Sequence, residues 1–296
     1  MVLESPVSWN SLIHKLIENR YHDDAIKLYK QMQENRVPPT PRTLTSVLMA
    51  CAGLKAISEG RQAHAQTIFR GFLPNLILET SLVDFYSKNG EVESGRQMLE
   101  RMEERNVCSW NSLIRGYSQL GIGDEDALQE EFRSLHAYII KSGLQTDRFV
   151  ATSLITMYSE MQHFENSRLA FSDANSLDVG VWSSIISAST KNGEGEVALR
   201  IFCEMLDLEI EPNQFIFSSL FTACGNLSAM EMGKQIHAYC LKSRNFSDTA
   251  TQNSLINMYS TCGWIEEAIK VFDLMKNQNV ASFNSIILAL AQHGHP

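Results

Sequence analysis

The residues best placed for chemistry in this 296-residue chain are short amides and hydroxyls that return at fixed places. Residues 7–13 read VSWNSLI, 108–114 read CSWNSLI and 281–287 read ASFNSII, so an aromatic ring precedes Asn10, Asn111 and Asn284. Trp182 precedes Ser183 in the same way. A carboxamide carries donors and an acceptor but no charge, which suits hydrogen-bond recognition and not group transfer.

Groups that could carry catalysis are scattered. His64, His136 and His237 recur in matching contexts, each followed by Ala. Helices stack about 8–10 Å apart, so these rings cannot converge on one metal ion and are read as packing or hydrogen-bonding residues. His293 and His295 close the chain without a Cys to form a ligand set. Cys51, Cys108, Cys203, Cys224, Cys240 and Cys262 contain no C-x-x-C pair. They are read as free thiols packed as small hydrophobes. The Asn226 and Asn245 sequons are read as chance matches. The H-x-E and P-C-x-x-C pattern of deaminases, the P-loop and the nucleophile elbow are all missing from the sequence. No enzymatic activity, cofactor or metal is expected.

Helices must position the recurring amides. DDAIKLYKQM (23–32), EVALRIFCEM (196–205) and EEAIKVFDLM (266–275) share one template. Ala25, Leu28, Tyr29 and Met32 fall at i, i+3, i+4 and i+7, one apolar helix stripe. Trp9, Leu12, Ile13 and Leu16 form another. Each repeat is therefore helix, turn, helix, with inner turns at ENRYH, KNGEV and TCGWI and exits at RVPPT and EIEPN. These signals place repeats at 6–40, 41–75 and 76–106, then 148–178, 179–213, 214–248 and 249–279, with a lone helix at 280–296. Lengths of 35, 35 and 31 explain why 101 residues separate Trp9 from Trp110, and Trp182 from Phe283. The segment 107–147 opens as one repeat and closes with RSLHAYIIKSG, the second helix of the next, so it is read as a fusion.

The fifth residue of every repeat is Asn, Thr or Ser: Asn10, Thr45, Thr80, Asn111, Thr152, Ser183, Ser218, Asn253 and Asn284. The last is also short and polar: Thr40, Asn75, Asn106, Asp147, Asp178, Asn213, Asp248 and Asn279. Trp9 belongs to the apolar stripe, and Asn10, turned about 100° around the helix, points away from it. The plainer reading of a short polar residue near a helix start is a cap.

The composition is globular, with 44% hydrophobic and 20% charged residues, 16 Gly, 7 Pro and a net charge of −9. No apolar run reaches 18 residues. MVLESPVSW has no signal-peptide h-region and is not Arg-rich like a transit peptide.

The alternation of repeat lengths, with openings such as VSWNSLI and TSLITMYSE and the close EIEPN, resembles the pentatricopeptide repeat proteins of plants over residues 6–296. It is similar to the subclass with alternating P, L and S repeats; the W-x2-L-G-x2-Y signature of tetratricopeptide repeats is missing. The resemblance implies an all-α, right-handed α-solenoid of about seventeen helices. It also implies sequence-specific binding of single-stranded RNA, one base per repeat, in mitochondrial or chloroplast RNA processing (editing, splicing or stability) alongside protein partners. By the family's pairing, Thr80 with Asn106 and Ser183 with Asn213 resemble adenine readers. Thr152 with Asp178 resembles a guanine reader and Asn111 with Asp147 a uracil reader. Asn253 with Asn279 implies a pyrimidine, and Asn10 with Thr40 leans the same way. Thr45 with Asn75 and Ser218 with Asp248 belong to the less dependable middle class, and Asn284 to the lone helix. A parallel array would read 5′-Y-n-A-U-G-A-n-Y-3′.

The competing reading is a protein–protein scaffold on the same solenoid, favoured by the net charge of −9. For an RNA binder that charge implies modest affinity and strong salt sensitivity. Phe283, Ile286, Ile287 and Leu290 form a stripe on the lone helix, where self-association is expected.

Overall fold

The apolar stripes become helix faces, although the helix built on 266–275 ends at Asp273, short of Met275. The computed structural model describes residues 6–119, 125–243 and 248–293, and within them seventeen helices and no strand. His295 and the Asn245 sequon lie outside the described residues. The odd-numbered helices are α1 (Pro6–Glu18), α3 (Pro41–Leu54), α5 (Leu76–Lys88), α7 (Val107–Gln119), α9 (Arg148–Glu160), α11 (Val179–Lys191), α13 (Gln214–Asn226), α15 (Thr249–Thr261) and α17 (Val280–Gln292). Between them lie α2 (His22–Glu34), α4 (Ile57–Phe69), α6 (Val92–Arg101), α8 (Glu125–Lys141), α10 (Phe164–Ala174), α12 (Gly195–Asp207), α14 (Met230–Lys242) and α16 (Ile265–Asp273).

The chain divides into two compact bodies, Met1–Leu144 and Gln145–Pro296. In the first, α1 packs on α3, α3 on α5 and α5 on α7, and each even helix sits against the odd helix before it. In the second, α9, α11, α13, α15 and α17 follow one another in the same way. The odd helices are thus the continuous layer of each body. Before α17 their stripes are sealed: Trp9, Ile13, Leu82, Phe85, Trp110 and Leu113 are buried in the first body, and Leu154, Trp182, Ile185, Leu220 and Leu255 in the second. Burying such side chains is worth about 1.5–3 kcal/mol each.

Close approach between successive helices depends on glycine at two matching places. A Cβ on Gly60 would lie 2.0 Å from the fully buried Phe85 ring, and one on Gly233 would lie 2.6 Å from Met258 Sδ. Four residues on, the recurring histidines do bond outward from the same helices. His64 Nδ1 lies 2.7 Å from Tyr86 Oη, and His237 Nδ1 lies 3.0 Å from Tyr259 Oη. Burial pushes both imidazoles below their ordinary pKa, with the Arg101 charge adding to the effect on His64.

Cys51, Cys224 and Cys240 are buried, and burial pushes their thiols up to about 12. Cys108 and Cys203 are exposed. Among the described residues no group of three His, Cys, Asp or Glu side chains could hold a metal ion, and no helix is long and apolar enough to cross a membrane.

Candidate nucleic-acid interface

The caps belong to the last residue of each repeat and not to the fifth. Asn75 Oδ1 accepts from the Leu78 N–H at 3.0 Å, Asn106 Oδ1 from Ser109 at 2.8 Å, Asn213 Oδ1 from Ile216 at 3.1 Å and Asn279 Oδ1 from Ser282 at 3.0 Å. Thr40 caps Thr43 at 3.2 Å, Asp147 caps Phe149 and Val150, Asp178 caps Gly180 at 2.8 Å, and Asp248 caps Thr251 at 2.9 Å. Helix starts leave backbone N–H groups unpaired, and Asn, Asp and Thr satisfy them with one side-chain oxygen.

That commitment settles what the remaining atoms can do. An Asn whose oxygen faces the backbone turns its NH2 outward as a donor, whereas an Asp in the same pose turns a second carboxylate oxygen outward as an acceptor.

The fifth residues sit inside the odd helices, away from the caps. Asn10, Thr45, Thr80, Asn111, Thr152, Ser183, Ser218 and Asn253 are all half-buried, while Asn284 is exposed. Thr80 Oγ1, Asn111 Oδ1 and Asn253 Oδ1 are buried without a hydrogen-bond partner. A buried polar group left unpaired costs about 1–3 kcal/mol, so these three positions are not satisfied by the fold alone.

Two repeats bring their fifth and last residues together through the third residue of the following helix. Thr43 Oγ1 donates to Asn10 Oδ1 and lies 2.9 Å from Thr40 Oγ1. Thr251 Oγ1 lies 3.4 Å from Ser218 Oγ and donates to Asp248 Oδ2 at 3.1 Å. These four side chains already have partners, which sets them apart from Thr80, Asn111 and Asn253. For the other pairs the caps and helix positions place both members on the odd-helix layer.

In the second body this layer holds a cavity of about 400 Å³ lined by Thr156, Ser183, Ser187, Lys191, Phe215 and Ser218 among others. Two predicted readers, Ser183 and Ser218, therefore share one polar recess. Its further members follow Ser183 at i+4 (Ser187) and i+8 (Lys191) on the same helix face; that spacing would have revealed them in the sequence. Phe215 is 66% exposed and Phe149 is 54% exposed, so each offers an aromatic face beside the fifth residue three positions on.

The face is weakly charged. Lys88 is held by Asp84 at 2.8 Å, and Asp84 Oδ1 also accepts from Ser112 at 3.2 Å. Arg148 Nη1 donates to Asp178 Oδ2 at 3.2 Å. Arg42, Arg115 and Lys191 have no carboxylate partner among the described residues.

Comparisons with known proteins bear on the family and the fold. The PPR repeat family model matches residues 4–53 and 177–226, and the PPR repeat model matches 80–107, 108–125 and 253–280. A chloroplastic pentatricopeptide repeat-containing protein of Arabidopsis thaliana is 29% identical over 98% of this chain, which spans 37% of that protein's length. A second Arabidopsis thaliana pentatricopeptide repeat-containing protein is 32% identical over 97% of this chain and is spanned to 43%. The crystal structure of the pentatricopeptide repeat protein PPR10 in complex with an 18-nt psaJ RNA element matches 98% of this chain and 43% of its own, with a TM-score of 0.68 at 17% identity. The fold is that of a helical repeat solenoid. With family models matching both bodies along the chain, the protein is a member of the pentatricopeptide repeat family.

Proposed function

We propose that this chain binds single-stranded RNA in a sequence-specific manner, one base per repeat, through the fifth and last residues named above. The observation that carries the reading is the pairing of those positions: Asn10 meets Thr40 through Thr43, and Ser218 meets Asp248 through Thr251. Residues 30 apart in sequence thus form one polar station between successive odd helices. The RNA bound by PPR10, a protein of the same fold, supports the reading. In this reading the repeats alternate in P, L and S classes, and the chain positions RNA for other factors without catalysing a step itself. Relatives named chloroplastic support an organellar role.

The test is fluorescence anisotropy with the octamer 5′-UCAUGACU-3′, which satisfies the proposed reading order, against a pool of random octamers. Tighter binding of the designed sequence supports the proposal. Binding of neither would favour a protein-binding scaffold, in keeping with the net charge of −9.

A further inference from the structure

We propose that Arg148 is a built-in stand-in for guanine in the slot formed by Thr152 and Asp178, and that it lowers this slot's selectivity for guanine. The proposal rests on the RNA reading above. Asp178 uses Oδ1 to cap Gly180 at 2.8 Å, which leaves Oδ2 as its outward acceptor. Arg148 Nη1 occupies that oxygen at 3.2 Å. The same guanidinium lies over the Phe149 ring, 4.5 Å from its centroid. Arg148 and Phe149 precede Thr152 by four and three residues, so each is a neighbour of Thr152 on the surface of α9.

A guanidinium is planar, presents N–H donors in a fixed fork and stacks on aromatic rings. The Watson–Crick edge of guanine likewise presents N–H donors on a planar ring that stacks on aromatic side chains. Arg148 therefore makes the two contacts that a guanine in this slot would make. Guanine must displace it from Asp178, whereas adenine, which does not need that acceptor, need not. Among the described residues neither Asp147 nor Asp248 has such an ion pair, so the device belongs to this slot.

The test compares 5′-UCAUGACU-3′ with 5′-UCAUAACU-3′, which differ only at the fifth base, for the wild type and Arg148→Gln. The ratio of the two affinities cancels any uniform loss from removing a positive charge. An exposed ion pair is worth up to about fivefold in an equilibrium, so the guanine-over-adenine ratio should rise by about three- to fivefold in Arg148→Gln. In an Asp178→Asn background the same substitution should leave the ratio unchanged. An unchanged or reduced ratio in Arg148→Gln overturns the proposal. Equal loss of affinity for both RNAs, with a shallower salt dependence, would make Arg148 a phosphate contact instead. If the wild type binds neither octamer nor random RNA, the RNA reading falls and this proposal with it; if it binds and the ratio does not move, only the role of Arg148 falls. Arg148 lies at the first position of α9 with its side chain 58% exposed, so Arg148→Gln should fold, which far-UV circular dichroism verifies.

Discussion

Substituting Asn106 by Asp should turn the proposed adenine slot into a guanine slot without disturbing the fold. Asn106 Oδ1 accepts the Ser109 N–H at 2.8 Å, and Ser109 Oγ donates back to the Asn106 carbonyl at 2.8 Å. This local ring fixes the amide with its NH2 outward. Aspartate caps about as well as asparagine, and a negative charge at a helix N-terminus is favourable by about 0.3–1 kcal/mol. Stability should therefore change by less than about 1 kcal/mol. The outward atom changes from donor to acceptor, which suits the N–H groups on the guanine edge. On the scale measured for DNA readout, one such exchange discriminates by about 1–3 kcal/mol, or roughly 5- to 150-fold. The assay is competition between 5′-UCAUGACU-3′ and 5′-UCGUGACU-3′ for the two proteins, with the other positions varied as controls. Asn106→Ala should lose both the cap, at about 1 kcal/mol, and the discrimination. Equal base preference in wild type and Asn106→Asp would refute the assignment of this pair as a reader.

Other consequences of the structure are open to measurement. Gly60→Ala would drive a Cβ to 2.0 Å from the buried Phe85 ring. Overpacking of about 1–3 kcal/mol should outweigh the helix-propensity gain of about 1 kcal/mol, so chemical denaturation should show a net loss. Gly225→Ala, whose Cβ would meet nothing nearer than 3.4 Å, should be neutral or stabilising in the same experiment. Burial holds His64 and His237 below their unfolded pKa of about 6.5, so their neutral-state stability is present above that pH and is lost as pH falls below it. The Tm should fall between pH 7.5 and 5.5, and less steeply in a His64→Gln/His237→Gln protein; equal slopes would assign the loss elsewhere. Three cations of the proposed recognition face without a carboxylate partner among the described residues (Arg42, Arg115 and Lys191) imply a slope of log K against log salt of about −2. Sequence charge alone argues for strong salt sensitivity; a slope near −5 would show that other cations engage. Phe283, Ile287 and Leu288 are 48%, 60% and 56% exposed on α17. Ultracentrifugation should find self-association that Ile287→Glu removes; a monomeric wild type at high concentration would contradict it.

The helices were legible because their stripes repeat locally. Ala25, Tyr29 and Met32 fall on one side of α2 whatever packs against it, and all three are buried. Ile286 of the α17 stripe is buried too, while Leu290 is half-buried. The inner turns were legible in part. Gly90 and Gly263 take φ of +82°, as KNGEV and TCGWI predict, but ENRYH has no glycine and places Arg20 at +62°. The caps were hidden because Asn106 and Asn111 both lie near a helix start, and only the backbone register decides which oxygen reaches an N–H. The pairs Gly60 with Phe85 and Arg148 with Asp178 were also hidden. Each joins residues about 25–30 apart, and their contact depends on how one helix is rotated against the next, to which periodicity is blind.

The acidic composition and the RNA reading are reconciled by where the charges sit. The odd helices carry Lys15, Arg42, Lys88, Arg115, Arg148 and Lys191 against Glu18, Glu79, Asp84 and Glu160. Glu79 is buried and accepts the Asn75 backbone N–H. α13, α15 and α17 carry no charged side chain at all. The excess of carboxylates therefore lies on the even helices and connections, as in Asp23 and Asp24 of α2, Glu196, Glu204 and Asp207 of α12, and Glu266, Glu267 and Asp273 of α16. With the capping carboxylates Asp147, Asp178 and Asp248 of the same layer counted, six basic side chains stand against seven acidic ones, a near balance that gives a phosphate backbone little to hold. Sequence-independent RNA binding is almost wholly electrostatic, so on this layer it is weak. What remains is hydrogen bonding by amides, hydroxyls and carboxylates whose outward atoms are fixed by capping, together with stacking on exposed rings such as Phe149 and Phe215. Under the proposed reading such a surface should bind random RNA poorly and a matched sequence moderately, with discrimination that comes from leaving the phosphates largely ungripped.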